Sequence, residues 1–190
     1  SIDLTIQLFD DNAKVTASLD MVRASAGDLV LLGRELQLES ITLNGKTLTA
    51  ADYQLDNESL TIANAPDSCQ ITTVVTIAPQ TNTSLEGLYQ AGEGDDKMFV
   101  TQCEPEGFRK ITFYPDRPDV LSRFTTRIEA DKKYPTLLAN GNLLETGDLD
   151  NNRHFAVWED PTKKPSYLFA CVIADLAVLS DRYTTSEGRD

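Results

Sequence analysis

The chain has 190 residues, with 30 acidic against 17 basic side chains and a formal net charge of −13. That balance argues against nucleic acid and anionic membrane surfaces as partners, because both need clustered Lys and Arg. No apolar run approaches the roughly 20 residues that span a bilayer, and the length suits one sizeable all-β domain or two small ones.

Period-two patterning runs almost from end to end. Ile2, Leu4, Ile6 and Leu8 alternate with polar residues, Asp10-Asp11-Asn12 supplies a turn, and Val15, Ala17, Leu19 and Met21 continue the alternation. A short apolar run, residues 29–32, follows Gly27-Asp28. Leu36, Leu38, Ile41 and Leu43 lead to Asn44-Gly45, a pair preferred in tight hairpin turns because both positions accept positive φ, and Leu48 lies on the return. Residues 53–55 and 60–63 predict another short hairpin. Ile71, Thr73, Val75 and Ile77 make a strand that stops before Pro79, which cannot donate to a ladder.

Residues 79–97 are rich in Thr, Asn, Gly and acidic side chains, and predict a long loop with a brief strand near Leu88. Residues 98–102 predict a strand and residues 108–114 a second, joined through Pro105-Glu106-Gly107. A short helix is expected over residues 116–123, with Asp116 as N-cap and Pro118 tolerated in the first turn. Phe124, Thr126 and Ile128 resume a strand, residues 137–142 carry a hairpin signal, and residues 154–159 form a strand. A proline-bracketed loop at 161–165 precedes the apolar run 167–174, and residues 176–179 and 183–185 close the chain. Short strands separated by frequent turns predict an all-β fold, a sandwich or an open, curved sheet assembly with one or two short helical turns. No composition shift marks a second domain, so residues 1–190 are read as one. The sequence opens directly on a strand pattern without an initiating Met, which suggests a piece of a longer protein.

The chemistry concentrates in Thr101-Gln102-Cys103-Glu104-Pro105-Glu106-Gly107-Phe108-Arg109. In an extended segment Gln102 and Glu104 face one side and Cys103 the other. Pro105 then ends or bulges the strand. The amide and carboxylate together suit a small cation such as a peptide's terminal ammonium; a plain solvated strand end is the other reading. Glu104 with Glu106 could also be a glycosidase pair, which needs carboxyls about 5–9 Å apart. Trp158 could be the aromatic platform of a free-standing β-sandwich ligand-binding module. A catalytic zinc usually needs two or three His ligands, or Cys in their place, but His154 is the one histidine. It sits in an alternating run as a structural strand residue. Cys69, Cys103 and Cys171 are far apart, so each is read as a small buried residue in a reducing, cytoplasmic compartment.

Six segments together resemble the N-terminal domain of the aminopeptidase N family, the bacterial alanyl aminopeptidase type of zinc exopeptidase. They are Leu85-Glu86-Gly87-Leu88-Tyr89, the Thr101 to Arg109 motif above, Phe113-Tyr114-Pro115-Asp116-Arg117-Pro118-Asp119-Val120, Phe124-Thr125-Thr126, Leu138-Ala139-Asn140-Gly141-Asn142, and Lys164-Pro165-Ser166-Tyr167-Leu168-Phe169-Ala170. The resemblance implies a saddle-like antiparallel β domain packed over a zinc-bearing catalytic domain of the same polypeptide. Zinc would be held there by a His-Glu-x-x-His helix and a later glutamate, so no metal ligand and no catalytic residue is expected in this chain. The implied substrates are peptides, with Glu104 contacting the α-ammonium and Gln102 lining the pocket for the first side chain. Asp116, Arg117 and Asp119 are implied to be structural. The face around Gln102 and Glu104 is expected to be apolar, as partner-covered patches are.

Overall fold

The computed structural model describes residues 1–23 and 27–189. Fifteen strands run through the described residues. The first eight are β1 (Ile2–Leu8), β2 (Ala13–Val22), β3 (Leu29–Leu32), β4 (Gln37–Leu43), β5 (Lys46–Thr47), β6 (Gln54–Leu55), β7 (Ser59–Ile62) and β8 (Ser68–Ile77). The rest are β9 (Gly87–Ala91), β10 (Met98–Gln102), β11 (Leu121–Asp131), β12 (Thr136–Ala139), β13 (Asn142–Leu149), β14 (Arg153–Pro165) and β15 (Cys171–Ala174). Single 3-10 turns are the only helical elements among the described residues, so the all-β expectation holds.

The strands form three sheets, with orders β13-β14-β11-β1-β2-β8-β4-β5, β12-β15-β10-β9 and β3-β7-β6. Alternation sets the inner face of the largest. Ile2, Leu4, Ile6 and Leu8 are buried on β1, opposite Leu19, Ala17, Val15 and Ala13 of β2. Pairing is antiparallel except for β1 with β11, which run parallel from Ile2↔Phe124 to Gln7↔Glu129. At the Asn44-Gly45 turn φ is 51° and 78°, as the β4–β5 hairpin requires.

Four local expectations fail, each for a tertiary reason. Residues 108–114 are not a strand. Phe108–Lys110 is a 3-10 turn, and residues 107–114 are buried without a break. The segment touches all three sheets, so it has no solvent face and no alternation. Tyr114 and Leu32 exchange backbone bonds at 2.8 and 3.0 Å, the Thr73 and Thr112 hydroxyls meet at 3.4 Å, and Lys110 packs on Gly87. Edge-to-face contacts from Phe108 to Tyr114, Phe124 and Phe169, with centroids 5.1, 5.8 and 5.3 Å apart, lock the plug in place.

Second, no helix forms over 116–123. Asp116 does not cap; it is buried, and its carboxylate accepts from Arg109. Pro118 also disfavours helical backbone at Arg117. Third, residues 137–142 are not a hairpin, because β12 pairs with β15 and β13 pairs with β14. The turn passes the chain from one sheet to another at Gly141, whose φ is +92° and where an added Cβ would lie 2.1 Å from the Glu159 carbonyl oxygen. Fourth, 161–165 is not a loop but the end of β14, paired through Ser122↔Lys164 and Leu121↔Pro165 beyond a register shift. The shift accommodates the prolines. Residues 176–179 and 183–185 add no strand, and Val178 and Leu179 are exposed.

His154 Nε2 lies 2.8 Å from the Tyr134 carbonyl oxygen, and Trp158 Nε1 donates to the Leu137 carbonyl at 3.0 Å. The first ties β14 to the turn between β11 and β12, and the second ties it to β12 of the neighbouring sheet. The three thiols are buried and free, and burial pushes Cys171 up to about 12 and Cys103 well above its ordinary value.

Within β14 the Lys164 ammonium lies 2.7 Å from Asp160. Its hydrogen bond, opposed by burial and helped by Thr162, lowers the Asp160 pKa from 3.8 to about 2. A carboxyl with a folded pKa below its unfolded one stabilises the fold above the unfolded value and loses that contribution as pH falls through the folded value. Stability should therefore decline between about pH 4 and pH 2, and Asp160→Asn should flatten that limb in urea unfolding followed against pH. An unchanged acid limb would contradict this.

Candidate functional site

The site is built on the edge where β9 meets β10. These strands pair antiparallel, with Gly87↔Gln102 at their end. Beyond Gln102 the chain turns Cys103 inward, where it is 2% exposed, and leaves Gln102 and Glu104 outward. Gln102 Nε2 donates to Glu104 Oε2 at 3.0 Å. The structure thus brings the two predicted residues together on one exposed face. It leaves the remaining carboxylate oxygen free to accept further donors.

The turn after Cys103 is tightly confined. The Pro105-Glu106 peptide is cis, and Gly107 N–H closes the turn on the Cys103 carbonyl at 3.4 Å. Gly107 is required by space, since a Cβ there would stand 2.4 Å from the Gln102 carbonyl oxygen. Gly87 opposite has φ +72°, and a Cβ there would meet Lys110 Cβ at 2.7 Å.

Two buried cations on the following 3-10 turn brace this edge. Arg109 is 6% exposed and Lys110 7%. Arg109 Nη1 lies 2.9 Å from Glu106 Oε2. Its Nε and backbone N–H both donate to Asp116 Oδ2 at 3.1 Å, and Nη2 donates to the Asp116 carbonyl at 3.0 Å. The Ser166 hydroxyl donates to Asp116 Oδ1. On the other side Lys110 Nζ donates to Ser84 Oγ at 2.9 Å and lies 3.3 and 3.4 Å from Glu35 and Glu86. The sequence alone assigns no role to either cation. The available signal was that both follow a Gly-Phe pair inside a run of apolar and aromatic residues.

Carboxylates flank the motif. Glu86 precedes Gly87, and the Glu106 side chain is 57% exposed. Each is paired with a buried cation, Glu86 with Lys110 and Glu106 with Arg109, and Leu85 beside Glu86 is exposed.

The Peptidase M1 N-terminal domain model matches residues 1–168. The chain belongs to this family. The M1 N-terminal domain is 51% identical to aminopeptidase N of Caulobacter vibrioides over 98% of the chain, and 48% identical to aminopeptidase N of Escherichia coli over all of it. It covers 21% of each of those proteins, so the chain spans about a fifth of the relatives it matches. Among solved structures it superposes on Legionella pneumophila aminopeptidase A, crystallised with aspartic acid, with a TM-score of 0.84 and 35% identity, covering 99% of this chain and 22% of that one. An M1 zinc metallopeptidase from Deinococcus radiodurans shares the fold, with a TM-score of 0.76, 14% identity, and coverage of 91% of this chain and 41% of that one.

Among the described residues no group of three or more His, Cys, Asp or Glu side chains could hold a metal ion. No helix among them is long and apolar enough to cross a membrane.

Proposed function

We propose that this domain is the amino-terminus sensor of a zinc aminopeptidase that releases single residues from peptides. Glu104 pairs with the substrate α-ammonium, and Gln102 orients Glu104 and lines the pocket for the first side chain. The observation that carries this is the 3.0 Å Gln102–Glu104 contact at an exposed strand end in a chain about half identical to aminopeptidase N proteins. A carboxylate makes a charge-assisted pair with an ammonium. Fixing the amine also fixes the distance from the chain end to the first peptide bond, an orientation effect. A pocket closed beyond the bound amine would exclude internal peptide bonds.

Zinc would be held by residues of the catalytic domain outside this chain and would supply the activated water. That domain of the same polypeptide is the structural partner, and peptides are the substrates. The test is a peptide series with free and acetylated amino termini, given to the full-length polypeptide. Residues should be released one at a time from free termini, while acetylated peptides stay intact. Equal cleavage of both would overturn the reading.

A further inference from the structure

We infer that Arg109 is a positioning residue for substrate amine recognition, acting through Glu106 to hold the turn that presents Glu104. This rests on the reading of Glu104 as the amine anchor, and adds a residue that touches no substrate.

The argument starts from where the guanidinium is fixed. Its Nε is bonded to Asp116 Oδ2 and its Nη2 to the Asp116 carbonyl, while the backbone N–H of Arg109 binds the same carboxylate. Asp116 is itself 5% exposed and receives the Ser166 hydroxyl. Ser166 follows directly on β14 and leads toward β15, which pairs with β10, the strand that carries Gln102. One end of Arg109 is therefore anchored at the buried start of the connection from β14 to β15.

The other end reaches the turn. Nη1 lies 2.9 Å from Glu106 Oε2, and Glu106 sits two residues from Glu104. The backbone bond closing the turn is long, at 3.4 Å, so the Arg109–Glu106 contact is a second constraint on the position of Glu104. Only a guanidinium can serve both ends. Its planar fork offers five donors in fixed directions, whereas an ammonium is a compact point charge. Arg109→Lys keeps the charge and loses the span.

The contact matters because an anchor must be held in register with chemistry elsewhere. A displacement of about 1 Å can cost on the order of 100-fold in rate. The structure provides two ways to release the turn. Arg109→Lys acts from the core end. Glu106→Gln acts from the exposed end and leaves the Arg109–Asp116 contacts in place, so it keeps the question open to test if the lysine variant fails to fold.

The experiment is a double-mutant cycle in the full-length, zinc-loaded polypeptide. Arg109→Lys and Glu106→Gln are each combined with Glu104→Ala, and kcat and KM are measured on a free-amine peptide. Each variant should lower kcat/KM by roughly 10- to 100-fold when Glu104 is present, and by less than about twofold in the Glu104→Ala background, since contacting pairs are non-additive. The Glu106→Gln loss should persist at raised ionic strength, which screens a merely lost surface charge. Arg109→Lys and Glu106→Gln values within about twofold of wild type, equal losses in both backgrounds, or a Glu106→Gln loss that salt abolishes would overturn the inference. These outcomes are separable from failure of the underlying reading. If Glu104→Ala alone leaves kcat/KM unchanged, Glu104 is not the anchor and both fall. If Glu104→Ala is impaired but the cycle is additive, only the role of Arg109 falls.

Discussion

Glu104→Ala in the full-length polypeptide should lower kcat/KM for free-amine peptides by roughly 30- to 5000-fold. On the proposed reading the substitution removes a carboxylate from a partly desolvated ammonium, and losing one partner of such a pair costs on the order of 2–5 kcal/mol, at about 1.4 kcal/mol per tenfold in rate. The loss should appear in KM, in kcat or in both, because the contact both binds and orients. Gln102→Ala should be milder and should depend on the first side chain of the substrate, since a neutral amide lines that pocket without carrying the ion pair. Zinc content should stay the same in both variants, because neither residue belongs to a metal-binding group. Steady-state kinetics across a series of first residues, with metal analysis of each variant, checks all of this. A Glu104→Ala enzyme within a few-fold of wild type would remove Glu104 from the site.

Asp116→Ala should be the most destabilising of the substitutions considered in this chain. It leaves the Arg109 guanidinium, 6% exposed, without the carboxylate that binds Nε and the backbone N–H. It also orphans the Ser166 hydroxyl. Breaking a buried pair by removing one partner costs about 3–5 kcal/mol, because the other charge stays desolvated. For a chain of this size each kcal/mol moves Tm by roughly 2–4 °C, so calorimetry should show a fall of about 6–20 °C. The neighbouring Asp119→Ala is the control. Asp119 pairs with Arg117 on the surface, with both side chains about two-thirds exposed, and exposed pairs contribute little. If the two variants unfold at the same temperature, the Arg109–Asp116 network does not support the fold.

The site was legible in part. Spacing alone placed Gln102 and Glu104 on one side and Cys103 on the other, and the 3.0 Å contact and the buried thiol follow that alternation. The Thr101 to Arg109 motif and five others carried the family resemblance, which the match over residues 1–168 bears out. Arg109 and Lys110 were not legible as the braces of that site. Charged residues are ordinarily exposed, and nothing local says that a guanidinium will find Asp116 seven residues on and Ser166 beyond it.

The sequence by itself determined the β class, the strands whose two faces differ, and the turns whose residues need special backbone angles. In β1, β2 and β8 one face is buried and one is wet, so polarity must alternate. Asn44-Gly45 supplies positive φ locally, so its hairpin is readable without the rest of the chain. Only the tertiary structure decided what happens where a segment meets several sheets at once. Residues 107–114 are enclosed on every side, so burial erases the period that would have named their structure. Asp116 carries the side chain of a helix cap, yet its carboxylate goes to a buried guanidinium, whose desolvation outweighs a cap worth about 1 kcal/mol. The turn at Gly141 has the residues of a hairpin, but its flanking strands pair in different sheets, β12 with β15 and β13 with β14. Local propensity differs by about 1 kcal/mol between such alternatives, and long-range pairing and burial exceed it.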